Sequence, residues 1–329
     1  MSRSNWISVG LALAACVLFF VGWFSGPAAL SWSDHWSALV QGDGMAGTIL
    51  WQLRLPRLLL AACSGSALAL SGLLMQAYFK NPLAGPSVLG VTSGSTLGVA
   101  LVSLGGLAMG QPFGIAGTVV GALLGAWGVM VLLGGVIGWF RSRSALLIFG
   151  LMVGYLSGAM VTVLQAGADA GALQAFVVWG MGSFGRGDLT SVLAVGTALI
   201  IGMGWAFRYQ HDLDMWRLGS QTARSMGVNE RALTWGLLGV TGALAALVTA
   251  WCGPVAFLGL ATPHLVRVLH GPGRTGALLG PVLLMGTVLA LLADWAVRFT
   301  AIPLNAVLSM VGAPVVLWLL LRQSKSSAA

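Results

Sequence analysis

Long apolar runs separated by short polar intervals set the pattern of this chain, and six of them stand out at once. The runs are continuous, as at 58–74 and 277–293, and do not alternate with period two over ten-residue segments, so they predict helices and not barrel strands. A hydrocarbon core of about 30 Å asks for about 20 helical residues per crossing. Ten spans fit, at 6–24, 56–79, 88–106, 113–138, 145–166, 190–207, 231–250, 255–270, 277–297 and 305–321. The expected fold class is all-α, a polytopic membrane protein with about ten transmembrane helices.

Composition agrees: 57% of residues are hydrophobic and 7% charged, against a usual charged share of about 25%, which excludes a water-soluble fold. The first run follows Arg3 as a signal peptide would, but it is long and lacks a small-x-small cleavage site, so it reads as an uncleaved span. Cys16, Cys63 and Cys252 each sit inside an apolar run, and neither a disulfide nor a metal site is expected. A net charge of +8 does not point to nucleic acid, because the basic residues are dispersed and form no stripe. With the N-terminus inside, twelve basic residues face inward (Arg3, Lys80, Arg141, Arg143, Arg208, Arg217, Arg224, Arg231, Arg267, Arg274, Arg322, Lys325) and four outward: Arg54, Arg57, Arg186 and Arg298. That bias places both termini in the cytoplasm.

No linker or low-complexity run marks a second domain, so 1–329 is read as one transmembrane domain. Glycines recur at four-residue spacing, at Gly117, Gly121, Gly125 and again at Gly150, Gly154, Gly158, as helix-packing faces require; a pore lining is the alternative. Pro82 and Pro86 end the second span sharply. The inner loop at 212–230 mixes charges with Leu213, Met215, Trp216, Leu218, Ala223 and Met226 and is broken by Gly219 and Gly227. It predicts two short amphipathic helices, either lying on the lipid or docked to a cytoplasmic partner.

Chemistry is sparse. Asp294 is the one acidic residue deep in a span, and Arg298 at i+4 favours a local ion pair over a proton relay. His264, between Pro263 and Arg267, suits a helix-terminal histidine bonding a freed carbonyl. The GxGxxG at 180–185 has no βαβ unit around it and is a false nucleotide signature. No Walker motif, HExxH or nucleophile elbow is present, so no catalytic residue is expected and any ATP must be bound by another polypeptide.

Arg54-Leu55-Pro56-Arg57, 64–76, Asn81-Pro82-Leu83-Ala84-Gly85-Pro86 and Leu89-Gly90-Val91-Thr92-Ser93-Gly94 resemble the FecCD-type permeases, membrane subunits of ATP-driven importers of iron-siderophores, haem and cobalamin. In order along the chain, the resemblance continues through 179–185, the loop at 218–227, 253–260, Pro263-His264, Arg267, Ala293-Asp294, Arg298 and Gly312-Ala313-Pro314. It implies a homodimer in the bacterial inner membrane with two ATP-binding cassette subunits beneath, which carry the ATP and Mg, and a periplasmic binding protein above. This chain would bind no cofactor of its own. The resemblance further implies docking of the binding protein at Arg54, Arg57 and Arg298. It assigns ATPase coupling to Met215, Trp216, Leu218, Gly219, Ser220, Ala223, Arg224, Met226 and Gly227, with Met215, Trp216, Leu218 and Met226 as an apolar knob. Path candidates are Met75, Asn81, Met160, Met181, Phe184, Asn305 and Met310, although Met at helical spacing also serves as core. The chain departs from the family pattern at Ser220, where an acidic residue is common, and at Ala301-Ile302-Pro303-Leu304-Asn305. An ion- or proton-coupled secondary carrier is the competing reading, and it has Asp294 alone as a titrating group. The particular chelate is not legible in the sequence.

Overall fold

In hydrocarbon no water is present to bond a free amide, so apolar runs close into helices. The computed structural model, which describes residues 3–28, 30–40, 44–105, 115–136, 138–139, 143–271, 273–300 and 302–327, is helical throughout and has no strand among those residues. The order is α1 (Arg3–Phe24), α2 (Trp32–Val40), α3 (Gly44–Gly47), a π-helical turn (Thr48–Arg54), α4 (Leu55–Phe79), α5 (Val91–Ser103), α6 (Ile115–Val136) and α7 (Arg143–Ala166). After these come α8 (Ala170–Gly180), α9 (Leu189–Leu218), α10 (Ser220–Ser225), α11 (Glu230–Cys252), α12 (Leu258–His270), α13 (Thr275–Phe299) and α14 (Leu304–Ser327). Of the residues singled out above, Arg141 and Ala301 lie outside the described residues, as do the side chains of Arg3, Arg143, Arg322 and Lys325.

Each of the ten expected spans contains a helix, with corrections of length. α5 and α12 have 13 residues each, about 20 Å, and are too short to cross alone. The chain enters each through irregular backbone: Ala84, Gly85 and Pro86 are buried ahead of α5, and Gly253 and Val255 ahead of α12. Such backbone survives at membrane depth only when protein covers it. Here α12 itself covers the segment ahead of α5, and a methyl on its Gly259 would touch the Pro86 ring. α9 runs 30 residues, about 45 Å, well past the end expected at 207. α8 and α2 are additional helices that the apolar pattern did not announce.

α4 is the hub, with α1, α9, α11, α12 and α13 packed around it. In the most apolar stretch of Gly44–Phe79, 83% of residues are buried, against 28% for α7 and α9, whose outer faces are left for lipid. Close approach depends on small residues. A methyl on Gly65 would collide with the Gly286 carbonyl of α13, and one on Gly98 of α5 with that of Gly121 on α6. The expected packing face at Gly121 and Gly125 is therefore present, against Gly98 and Gly94. On α7 it is present at Gly150, against Leu89, but not at Gly158, which faces open space.

Candidate functional site

Three arginines and one carboxylate gather where α1 and α13 end and α4 begins. Asp294, 1% exposed, accepts from Arg57 Nε at 2.7 Å and from Arg298 Nε at 2.8 Å. Arg298 also donates from Nη1 to the Gly22 carbonyl at 2.7 Å, while Arg54 donates to Trp23 O at 2.8 Å and Ala28 O at 2.5 Å. The last carbonyls of α1 have no intrahelical partner, and two guanidiniums satisfy them. The local ion pair expected for Asp294 is formed, with Arg57 as a second partner from α4. The picture of three free outward cations needs correction: Arg54 is 6% exposed and the Arg298 side chain 2%, both spent inside the chain, whereas the Arg57 side chain keeps 24%. One carboxylate against three guanidiniums leaves the cluster positive.

At the same end Asn305, the first-turn residue of α14, works as a clasp. Its Nδ2 donates to Gly180 O at 3.1 Å, its Oδ1 accepts from Ala256 N at 3.0 Å, and its backbone amide reaches Met181 O at 3.2 Å. It ties the end of α8 and the segment before α12 to α14. The glycine-rich 180–185 stretch is the turn that makes this possible: Gly182 has φ +74, and Ser183 N donates to Cys252 O at 2.8 Å. Just beyond it, the Asp188 carboxylate accepts from Ser191 N at 2.8 Å and starts α9 as a capping box. That backbone bond holds Asp188 below the usual carboxylate range. The Asp-x-x-Ser spacing was the overlooked sequence signal for where α9 begins.

The path candidates divide. Met75 and Phe184, each 1% exposed, belong to the core and are removed from the set; both pack into the cluster around α4. Met160, Met181 and Met310 present 45%, 42% and 69% of their surface. The Asn81 carboxamide is engaged in its own turn, accepting from Leu83 N at 2.9 Å. The carbonyl of Pro82 lies 2.6 Å from His264 Nε2, and since a carbonyl only accepts, Nε2 carries the proton. His264 thus bonds a carbonyl of the 81–90 loop and not one freed in its own helix.

At the opposite end, the loop expected to hold two short helices has one. Its first half is the continuation of α9; Gly219, at φ +144, breaks the chain, α10 follows, and Gly227, at φ +87, turns it into α11. The knob also needs correction. Trp216 is fully buried and stacked on Tyr78 at 5.5 Å, Met215 is half-buried, and Ala223 is buried. Leu218 and Met226, 70% and 56% exposed, form the projecting ridge. Arg224 pairs with Glu230 across the turn. Tyr78 hydroxyl lies 2.6 Å from Thr234 Oγ1, so the loop is keyed through one ring to both α4 and α11. Asp214 accepts from the Thr275 amide and hydroxyl at 2.9 and 2.6 Å, which ties the same loop to α13. Ser220, half-buried, opens α10, and Gln221 and Thr222 in the same turn are exposed.

The model of the FecCD transport family matches residues 13–322. The chain is 32% identical to the hemin transport system permease protein HmuU of Yersinia pestis, over 96% of each chain. It is 32% identical to the vitamin B12 import system permease protein BtuC of Vibrio cholerae, over 98% of this chain and 95% of the relative. The molybdate import system permease protein MolB of Haemophilus influenzae is 31% identical over 83% of this chain and 81% of its own. Among solved structures, a metal-chelate type ABC transporter in an inward-facing conformation superposes with a TM-score of 0.84 at 29% identity, covering 97% of this chain and 99% of that one.

Proposed function

The chain belongs to the FecCD transport family, and on that premise we propose that it forms the gate of an importer whose cargo is a metal chelate such as an iron-siderophore, haem or cobalamin. It is a multi-pass permease subunit of the ABC importer type and not an enzyme, with ATPase and substrate-binding partners. Two copies of the chain enclose the path, both termini face the cytoplasm of a bacterial inner membrane, and ATP and Mg are held by two partner ATPases. The haem and cobalamin relatives and the metal-chelate transporter support a chelate cargo.

The observation that carries the mechanism is the keyed loop. Leu218 and Met226 give an ATPase an apolar ridge to grip, and Trp216 on Tyr78 makes the ridge inseparable from α4 and α11. Closure of the ATPases then moves α9, α4 and α11 together, biasing a packing that small-residue faces allow to exist in two arrangements. At the other face, Arg57 and the surplus charge behind it steer an acidic binding protein into register, where complementary charge acts on encounter more than on affinity.

Co-reconstitution with the ATPase and binding protein in proteoliposomes tests this. Haem, cobalamin or a ferric siderophore should accumulate only with ATP, and collapse of a proton gradient at constant ATP should leave the rate unchanged. Uptake of molybdate in place of every chelate would overturn the cargo, and dependence on the proton gradient would restore the carrier reading. Deleting 219–226 should abolish co-purification of the ATPase.

A further inference from the structure

A cavity of about 270 Å³ opens among α4, α9, α12 and α13 on the side of the membrane that carries the α9–α10 loop. Its lining includes three cations, Lys80 at the end of α4, Arg217 on α9 and Arg267 on α12, over an apolar floor of Leu73 and Leu278. No lining residue is acidic. Among the described residues neither Lys80 nor Arg267 has a carboxylate within 4.0 Å, and Arg217 has Asp214 only at 4.0 Å. Asp214 is itself committed to Thr275. Arg267 donates to the neutral Gln76 Oε1 at 2.7 Å, and Gln76 is fixed in turn by Leu260 O at 3.1 Å. Three positive charges thus converge on one space, and the one carboxylate near them, Asp214, stands 4.0 Å from Arg217 and leaves a net positive surplus.

The backbone adds an independent observation. Lys80 ends α4 in the left-handed region, with φ 50 and ψ 32, where glycine or asparagine is the ordinary choice. A lysine there is strained by the contact of its Cβ with the backbone. Strain of that kind is retained where the side chain has a task, and this side chain borders the cavity.

We infer that the cavity is a binding site for a phosphate group of net negative charge, free or esterified but with no cation attached to it, held by Lys80, Arg217 and Arg267. Guanidinium and ammonium donors match phosphate oxygens, and basic pockets between helices on the cytoplasmic side suit anionic headgroups. Bound there, the phosphate bridges α9, which continues into the α9–α10 loop, to α12 and to the segment that follows α4. The inference rests on the importer reading only for which leaflet the cavity faces, and its test reads binding, not transport.

The test uses the full chain in nanodiscs, with thermal unfolding followed as ligand is added. Phosphatidylglycerol should raise the midpoint relative to phosphatidylcholine if the phosphate is a lipid headgroup. Inorganic phosphate at constant ionic strength should do so in phosphatidylcholine discs if the source is soluble. In either case Arg217→Gln should weaken the apparent affinity about tenfold, the loss expected of one charge-assisted contact. Lys80→Asn removes the charge while suiting the left-handed backbone, so it should unfold no earlier than wild type without ligand and still lose most of the ligand shift. Equal stabilisation by phosphatidylcholine, no shift with either phosphate source, or an undiminished shift in Lys80→Asn would overturn the inference. So would a Lys80→Asn chain that keeps its phosphatidylglycerol shift and loses the ATPase, since the cations would then serve the partner protein.

Discussion

Asp294 holds two guanidiniums with one carboxylate, and its side chain and that of Arg298 are each 2% exposed. Removing one member of a buried ion pair leaves uncompensated charge, which is costlier than the pair itself is stabilising. Asp294→Asn should therefore destabilise the purified protein by about 3–5 kcal/mol, read as a fall in its thermal midpoint, and Arg57→Gln should cost less because that side chain is partly solvated. Asp188 gives a pH-dependent case. Its folded-state pKa is depressed, so its capping contribution is complete above the unfolded value of about 3.9 and is lost as pH falls through the lower folded value. Asp188→Ala should cost about 1 kcal/mol near neutral pH, with the deficit shrinking below about pH 3.9. The residue-level detail that reading the chain alone misassigned is of one kind. Trp216, Met75 and Phe184 have the chemistry of a knob or a path, yet their burial depends on what the fold brings against them, and no local spacing records that.

Between elements, the decisive contacts are backbone to backbone. The α5–α6 pair is closed by Gly94, Gly98, Gly121 and Gly125, whose missing side chains admit the neighbouring carbonyls. Gly98→Val should block that approach and lower the yield of folded protein severalfold, whereas Gly158→Ala, on the open face of α7, should be nearly silent; detergent-extracted yield and thermal midpoint check both. The four-residue spacing was visible in the chain, but the half of it that faces lipid and the half that faces protein look alike in sequence. The same ambiguity hid α8, eleven mostly apolar residues too short to register as a span. It also blurred α9, whose inner third is polar enough to read as loop while remaining one helix.

For the molecule as a whole, the consequence is a mechanical one. The loop that offers Leu218 and Met226 is locked to α4 through the Trp216–Tyr78 stack and to α11 through the Tyr78–Thr234 hydrogen bond. Tyr78→Phe keeps the ring and deletes the hydroxyl. It should leave ATPase assembly and ATP hydrolysis close to wild type while lowering substrate uptake per ATP severalfold, measured in proteoliposomes. Equal coupling in the variant would remove Tyr78 from the transmission route.

Hydrophobic patterning alone determined that this is a helical membrane protein and where its ten main apolar helices fall, because the cost of bare amides and charges in hydrocarbon leaves continuous apolar runs no other fold. The ordered motifs from Arg54 to Pro314 pointed to the family. Tertiary structure decided the rest: which crossings are broken into half-length helices over buried loops, and which arginines are clasped inside the chain. It also decided which loop residues project and where three cations converge. These depend on contacts between residues far apart in the chain, such as Arg57 with Asp294 and Gln76 with Arg267. Packing in three dimensions selects such partners, and a one-dimensional pattern of polarity does not contain them.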